Sequence, residues 1–422
     1  MNPDSKSVFE YIFGLTVPGV KLELSRVEAF MDRLGNPHAA YPVIHIAGTN
    51  GKGSTAAMLA GILRAYGKKT GLFTSPHLIT PNERIRVGNT LVSDEFIVRK
   101  VEELRVHIDE LGITFFEVLT ALGMEYFRQH SVDYAVIETG LGGRLDATNV
   151  VNPIASIITS VSMDHENILG DNLSKIAGEK AGIIKSQRPI FLGKNPEVVR
   201  QVVEQKSQLV NAGYVYVPDK VKIEDIKTHG MSQHVRCTIA GQVIDVELPL
   251  LGRHQVENFT NVLASLADLG FNLDASIIQK GLDDMIWQGR LQVLQKEPIV
   301  LYDVAHNPEG LTRLLDSLRE LGRADSIIVA AFNARKNIQP MLDLLSKWSG
   351  EVIFTIFSGH SAVGKETLLH LGVNPKMIAI DLQSAYERAL ELSLNDHQSI
   401  CFIGSHYLAE SLFPMFDNAP QN

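Results

Sequence analysis

The sequence predicts an α/β protein of two domains, the first organised on a parallel sheet. Short apolar runs of strand length alternate with segments of helical periodicity along both halves of the chain. A glycine-rich turn carrying a lysine separates the first such run from the first helical segment. Further polar segments recur where later runs end, which is where open α/β sheets hold ligands. At 422 residues the chain is also too long for one ordinary core.

In the first half, strands are expected at Val43–Ala47 (VIHIA), Gly71–Thr74, Tyr134–Glu138 (YAVIE), Ile154–Thr159 and Ile190–Gly193. Helical patterns lie between them at Ser54–Tyr66, Asp94–Leu111 and Phe116–Gln129. From Tyr214 to Leu251 the chain breaks into short alternating runs (YVYV, HVRCTI, QVIDVEL), read as a small antiparallel element. Helical patterns return at Val256–Leu269 and Ala275–Ile286. A second series of strand-like runs starts at Ile299: IVLYD, SIIVAAF, EVIFTIF, MIAID and SICFIGS, each followed by a helical pattern. This is expected to be a separate open α/β domain. Placing the junction near Leu291–Pro298 gives domains 1–290 and 298–422.

Composition removes several function classes. With 45% hydrophobic and 21% charged residues the chain is neither disordered nor fibrous. No apolar run approaches the roughly 20 residues that cross a bilayer. The N-terminal MNPDSKSVFEYIFGL carries acidic residues and no extended apolar segment, so no secretory signal is read. Cys237 and Cys401, far apart, make neither a disulfide framework nor a zinc site. A cytoplasmic location without membrane partners follows as an expectation. The net charge of −9 disfavours a nucleic-acid partner, leaving room for a local basic pocket.

The run VIHIA leads into Gly48-Thr49-Asn50-Gly51-Lys52-Gly53-Ser54-Thr55 and a helical pattern follows at once. Glycines allow the tight turn and present N–H groups to phosphate oxygens. A helix N-terminus adds positive charge, and a lysine reaches the terminal phosphates. The spacing departs from GxxxxGK[ST], yet a purely structural turn needs no charge here. Strand, loop, lysine and hydroxyl together point to nucleotide phosphates.

Four more polar segments fall at or near strand ends: Thr74–His77, Glu138–Asn149, Ser162–Glu166 and Gly178–Gly182. Magnesium prefers hard oxygen ligands, keeps waters, and takes one or two carboxylates together with substrate phosphates. Glu138 suits it as a strand-end carboxylate followed by glycines, and Ser75 can supply a hydroxyl. His165 is a less natural magnesium ligand and, taken alone, reads more often as a core or supporting histidine. Asp164 reads equally as a helix cap, and Lys180 as an ordinary surface lysine.

Together the segments VIHIAGTNGKGST, GLFTSPHL, NERIRV, FFEVLTAL, VIETGLGGRLDATNVV, DHENILG, IAGEKAGIIK, HQVENFTNVLAS, GRLQV, YDVAHNP and GSHYLA resemble the folylpolyglutamate synthase/dihydrofolate synthase family of the Mur ligase superfamily. The resemblance runs in order along nearly the whole chain. It implies an N-terminal P-loop-type ATPase domain and a C-terminal Rossmann-like glutamate ligase domain. It implies that Gly48 to Ser54 hold ATP phosphates, with Lys52 catalytic, and that Asn258, Arg290 and Asp303 also contact ATP. Ser75, Glu138 and His165 would bind Mg²⁺, and Lys180 resembles the family's carbamylated lysine. His306 would face the cleft as a catalytic group, while Thr114 and Phe116 would contact the pterin side of the substrate. Two departures touch substrate segments: LELSR (Leu22–Arg26) puts Glu23 where the family commonly has glycine, and Ala334–Asn337 replaces a DKD-type segment.

The reaction so implied is ATP-dependent addition of L-glutamate to dihydropteroate, to the γ-carboxylate of reduced folates, or to both. An acyl phosphate would activate the acid, and Lys52 and Mg²⁺ would offset the repulsion between anionic partners. Closure of the second domain, carrying Asp303 and His306, would exclude water. The chain is expected to act as a monomer. One alternative is a Mur-superfamily ligase acting on UDP-linked cell-wall precursors, which would need an N-terminal domain that a phosphate loop starting at Gly48 leaves no room for. Another is a P-loop ATPase that ligates nothing.

Overall fold

Val43–Ala47 (β1) is buried at all five residues, as a strand covered on both faces must be, and a sheet extends from it in both directions. The computed structural model describes residues 3–15, 23–334, 337–357, 362–396 and 398–416. The strands beside β1 are Thr70–Phe73 (β2), Ile85–Val87 (β3), Thr90–Leu91 (β4), Tyr134–Glu138 (β5), Ala155–Ile158 (β6), Pro189–Leu192 (β7) and Gly213–Tyr216 (β8). Their order is β4-β3-β2-β5-β1-β6-β7-β8. All neighbours from β2 to β8 run parallel, and β3 and β4 add an antiparallel hairpin at one edge.

Helices of this half are Pro3–Gly14 (α1), Ser25–Arg33 (α2), Lys52–Ala65 (α3), Asp94–Leu111 (α4), Phe115–Gln129 (α5), Glu166–Leu169 (α6), Leu173–Ala181 (α7), Glu197–Leu209 (α8), Arg253–Asp268 (α9) and Ala275–Asp283 (α10). Their ends follow local chemistry. Ser93 accepts the Phe96 amide to start α4, and Gly112 at φ 61° closes it. Thr114 and Glu117 form a reciprocal capping box at the start of α5. One apolar cluster gathers Phe30, Ile97, Leu119, Phe127 and Ile137, and a second gathers Ile158, Ile176, Leu192 and Val203.

One run of the Tyr214–Leu251 stretch lies elsewhere, and the rest forms the expected antiparallel element. The YVYV run forms β8, which pairs parallel with β7 and so belongs to the large sheet. The separate three-stranded sheet consists of Val221–His229 (β9), Ser232–Ile239 (β10) and Gln242–Leu248 (β11). Two-residue turns join its strands, a connection that only antiparallel neighbours allow. Alternation shows that one face is wet but does not say which way the neighbouring strand runs.

Contacts divide the chain into two units: Met1–Ile226, Val235–Glu247 and Gln255–Ile286 in the first, Lys227–His234, Leu248–His254 and Trp287–Asn422 in the second. The second holds a sheet of Gln292–Lys296 (β12), Ile299–Asp303 (β13), Ile327–Ala330 (β14), Val352–Phe354 (β15) and Ile400–Ile403 (β16), ordered β12-β13-β16-β14-β15. The last four strands are parallel, while β12, in the segment read as the junction, is an antiparallel edge. Helices Pro308–Glu320 (α11), Gln339–Leu345 (α12), Lys365–His370 (α13), Leu382–Asp396 (α14) and Leu408–Leu412 (α15) complete it. The core gathers Leu301, Leu315, Ile328, Met341 and Ile403. MIAID is not a strand: Ile378 makes one isolated bridge to Phe354, directly after a 3-10 turn that starts at Pro375, which has no N–H for a ladder. Leu22 of LELSR, and Arg335 and Lys336 of Ala334–Asn337, lie outside the described residues. Among the described residues no helix is long and apolar enough to cross a membrane.

Candidate active site

The Gly48–Gly51 turn leaves β1 at Gly48 and enters α3 at Lys52. Gly51 sits at φ 86°, a left-handed conformation that disfavours any side chain. A Cβ there would lie 2.2 Å from Asn258 Oδ1, and one at Gly48 would lie 1.9 Å from Thr159 Oγ1. The loop is braced from the segment after β6. Thr49 N–H donates to Ser160 O at 2.6 Å, and the Thr49 hydroxyl accepts from Ser162 N at 3.0 Å. Thr159 Oγ1 donates to Asn50 O at 2.8 Å. No side chain caps α3, and the start of a helix favours an anion. Gly53 and Ser54 begin that helix, Ser54 fully buried.

Parallel register then brings charges from neighbouring strands to the loop. Ile46 of β1 stands opposite Glu138 at the end of β5. Lys52 Nζ lies 3.8 Å from Glu138 Oε1 and donates to Thr49 O at 3.3 Å. Glu138 is buried, and its Oε2 accepts the backbone N–H of Ser75, beyond β2, at 3.0 Å. Lys180, near the end of α7, is 3% exposed and donates to Gly48 O at 2.8 Å. Burial pushes its amine down to about 7, Lys52 pushes the same way, and Asp164 and Asp146 pull back.

His165 stands beyond β6, the next strand on the other side of β1, at φ 52°. Its N–H donates to Asp164 Oδ1 at 2.9 Å, and its ring Nε2 lies 3.8 Å from the same oxygen. Among the described residues no three His, Cys, Asp or Glu side chains converge as a metal set. The first unit therefore assembles Lys52, Glu138, Ser75 and Lys180 around the loop, with His165 paired to Asp164.

Asn258, on α9, faces Gly51 and donates to Gln255 Oε1 at 3.0 Å. Thr114 caps α5: its N–H donates to Glu117 Oε2 at 2.7 Å. The Phe116 ring presses on Gly140, where a Cβ would lie 2.4 Å from its Cζ. In the second unit Asp303 ends β13 and accepts from Leu291 N at 2.9 Å and Ala305 N at 2.8 Å. Burial pushes its carboxyl up, while Arg290 and those two amides oppose the shift. The Arg290 guanidinium lies 5.7 Å from the Trp287 ring centre. His306 Nδ1 is 2.9 Å from Val304 O, so that nitrogen carries the proton. Its ring centre is 5.1 Å from that of His406, beyond β16.

Residues 46–266 match the Mur ligase middle domain, and residues 289–406 match the Mur ligase glutamate ligase domain. The chain is 33% identical to the folylpolyglutamate synthase of Lacticaseibacillus casei, covering 92% of each. It is 36% identical to the dihydrofolate synthase/folylpolyglutamate synthase of Bacillus subtilis (strain 168), over 82% of this chain and 84% of the relative. The chain belongs to the Mur ligase family. It is an acid–amino-acid ligase of the branch that holds the folylpolyglutamate and dihydrofolate synthases. Among solved structures, the Mycobacterium tuberculosis folylpolyglutamate synthase complexed with ADP and AMPPCP resembles this ligase with a TM-score of 0.92 at 31% identity, over 99% of both chains. A folylpolyglutamate synthase–AMPPCP–folate complex resembles it with a TM-score of 0.85 at 31% identity, over 97% of this ligase and 99% of that chain.

Several polar groups of this ligase carried no assigned role in the sequence. Asp146 is buried and accepts from Leu141 N at 2.7 Å and Thr148 N at 3.0 Å. His45, fully buried in β1, reaches Thr148. The one available signal for His45 was a polar residue inside an apolar run. His406 lies in GSHYLA, but nothing local pairs it with His306, because adjacency of β13 and β16 brings the two together.

Proposed function

We propose that this ligase uses ATP to join L-glutamate to dihydropteroate, to the γ-carboxylate of reduced folates, or to both, through an acyl phosphate. The observation that carries the reading is the Lys52–Glu138 pair, 3.8 Å apart at the mouth of the Gly48–Gly51 turn. It sets a cation for phosphate oxygens beside a carboxylate suited to a hard metal ion. Gly48, Thr49, Asn50, Gly51, Lys52, Gly53 and Ser54 hold the ATP phosphates, and Asn258, Arg290 and Asp303 contact the nucleotide. Thr114 and Phe116 contact the pterin side of the acid, the aromatic ring offering a stacking face.

Glu138 and Ser75 offer the hard oxygens that Mg²⁺ takes, and His165 is the softer third candidate. So small a protein set fits an ion completed by phosphate oxygens and water. When bound, Mg²⁺ lowers the charge on the phosphate chain that an incoming carboxylate meets. Lys180 suits carbamylation, because an amine at about 7 is substantially neutral near neutrality and only a neutral amine adds to CO₂. From the neutral amine the addition forms an N–C bond, releases one proton and leaves a buried anion.

Lys52 draws negative charge off the transferred phosphoryl as the substrate carboxylate attacks. His306 holds its Nδ1 proton against Val304 O, so its Nε2 is the atom that takes a proton from the incoming amine. The enzyme works in the cytoplasm, as a monomer. The test supplies purified protein with ATP, Mg²⁺, L-glutamate and either dihydropteroate or a reduced folate monoglutamate, and measures ADP release and product mass. Glutamylated product from at least one acid is expected. ADP release without a ligated product from either acid would refute the proposal.

A further inference from the structure

Three buried groups link β1 to the segment after β5. Thr148 Oγ1 lies 2.5 Å from Asp146 Oδ1, and His45 Nε2 lies 2.8 Å from the same hydroxyl. Burial pushes the Asp146 carboxyl up, but backbone N–H donors from Leu141 to one oxygen and Thr148 to the other oppose that and favour the carboxylate. Thr148 therefore spends its one hydroxyl proton on Asp146 and accepts from His45, which must carry hydrogen on Nε2. The opposite direction would put the hydrogen on Nδ1, which is buried without a partner, and an unpaired buried N–H is the costlier state. Burial pushes His45 down to about 3, so it stays neutral.

The Asp146 segment clasps the end of α7. A Cβ at Gly143 would lie 2.8 Å from Glu179 O and 3.0 Å from Lys180 O, so only glycine lets the two backbones meet. Arg144 N donates to Glu179 O at 2.7 Å, and Asn149 Nδ2 donates to Gly182 O at 3.2 Å. Lys180 then returns to Gly48 O, three positions beyond His45 on the same stretch of chain. The contacts form a closed ring: His45, Thr148, Asp146, the clasp, Lys180, Gly48.

We infer that His45 is a positioning residue, whose Nε2–H sets the Thr148–Asp146 clasp and thereby the place of the Lys180 amine against the phosphate loop. Its activity readout rests on the ligase function proposed above; its spectroscopic readout does not. Glutamine can present an N–H where Nε2 stands, whereas leucine fills the space without a donor. His45→Leu is expected to lower kcat about tenfold or more with KM for ATP changed less than about threefold. His45→Gln is expected to recover most of that loss. Melting temperatures of both variants separate this effect from unfolding. In the wild-type chain, NMR of nitrogen-labelled histidine, assigned by the signal that His45→Gln removes, is expected to show a neutral Nε2–H ring that does not titrate between about pH 5 and 8. An Nδ1–H ring, native kcat in folded His45→Leu, or equal losses in both variants would overturn the inference. A wild-type chain that ligates nothing but shows the Nε2–H ring would refute the ligase function and leave the ring geometry standing.

Discussion

The buried Lys180 amine donates to the Gly48 carbonyl that follows β1, at 2.8 Å, so a helix outside the phosphate loop holds the loop's first residue. One neutral hydrogen bond only partly offsets the burial of an ammonium, and the amine falls to about 7 from 10.5. Between those two values the unfolded chain binds more protons than the folded one, so this group makes stability rise with pH across that window. Below about 7 both states are protonated and the folded chain bears the full cost. Lys180→Met, in CO₂-depleted buffer, is therefore expected to melt higher than the wild type at pH 7 and below. The advantage should fade as pH approaches 10.5. A pH-independent difference in melting temperature would contradict the assignment.

Lys52 and Glu138 separate chemistry from stability. The lysine end is partly solvated, so the pair contributes about 0–1 kcal/mol to folding. Lys52→Ala is expected to lower ligation roughly a hundredfold or more, the scale of losing one charge stabiliser, with little change in melting. Glu138→Gln should raise the Mg²⁺ concentration for half-maximal activity by about tenfold or more. Unchanged ligation in Lys52→Ala would remove the phosphate-loop assignment.

Gly140 and Phe116 are coupled through contact. A methyl group at Gly140 would sit 2.4 Å from the Phe116 ring, so Gly140→Ala should destabilise by about 1–3 kcal/mol in denaturant titration. Adding Phe116→Leu should recover part of that loss, a non-additivity expected for touching residues. If the two changes simply add, the ring is not where the clash arises.

Thr114 has a structural task whatever else it does. Loss of the α5 cap in Thr114→Ala should cost about 1 kcal/mol. If the residue also touches the acid substrate, KM for the pteroate or folate should rise while KM for ATP stays level, and Thr114→Ser should restore both properties. Thr114→Ala that melts lower with unchanged KM would confine it to capping.

Much of the architecture is written locally. VIHIA and YAVIE were legible as strands because continuous apolar runs of that length are strand-sized and buried. The limits of α4 were legible as well, since Ser93 and Gly112 end the helix by chemistry confined to neighbouring residues. The β3–β4 hairpin went unread because strands of three and two residues carry too short a pattern. Strand β9 (VKIEDIKTH) hid behind its charged residues.

At the site, the glycine turn and Lys52 were visible because a turn's conformational demand and its charge sit in consecutive residues. The bond from Lys180 to Gly48 joins residues 132 apart, and the one from His45 to Thr148 joins residues 103 apart. No local pattern encodes either, because strand order and register decide which ends meet. The amino-acid order by itself determined the α/β alternation, the glycine–lysine turn and the family. Only the folded sheet decided that β5, β1 and β6 lie side by side, which buries Lys180, leaves His165 beside Asp164, and brings a histidine in an apolar strand to the Thr148 hydroxyl.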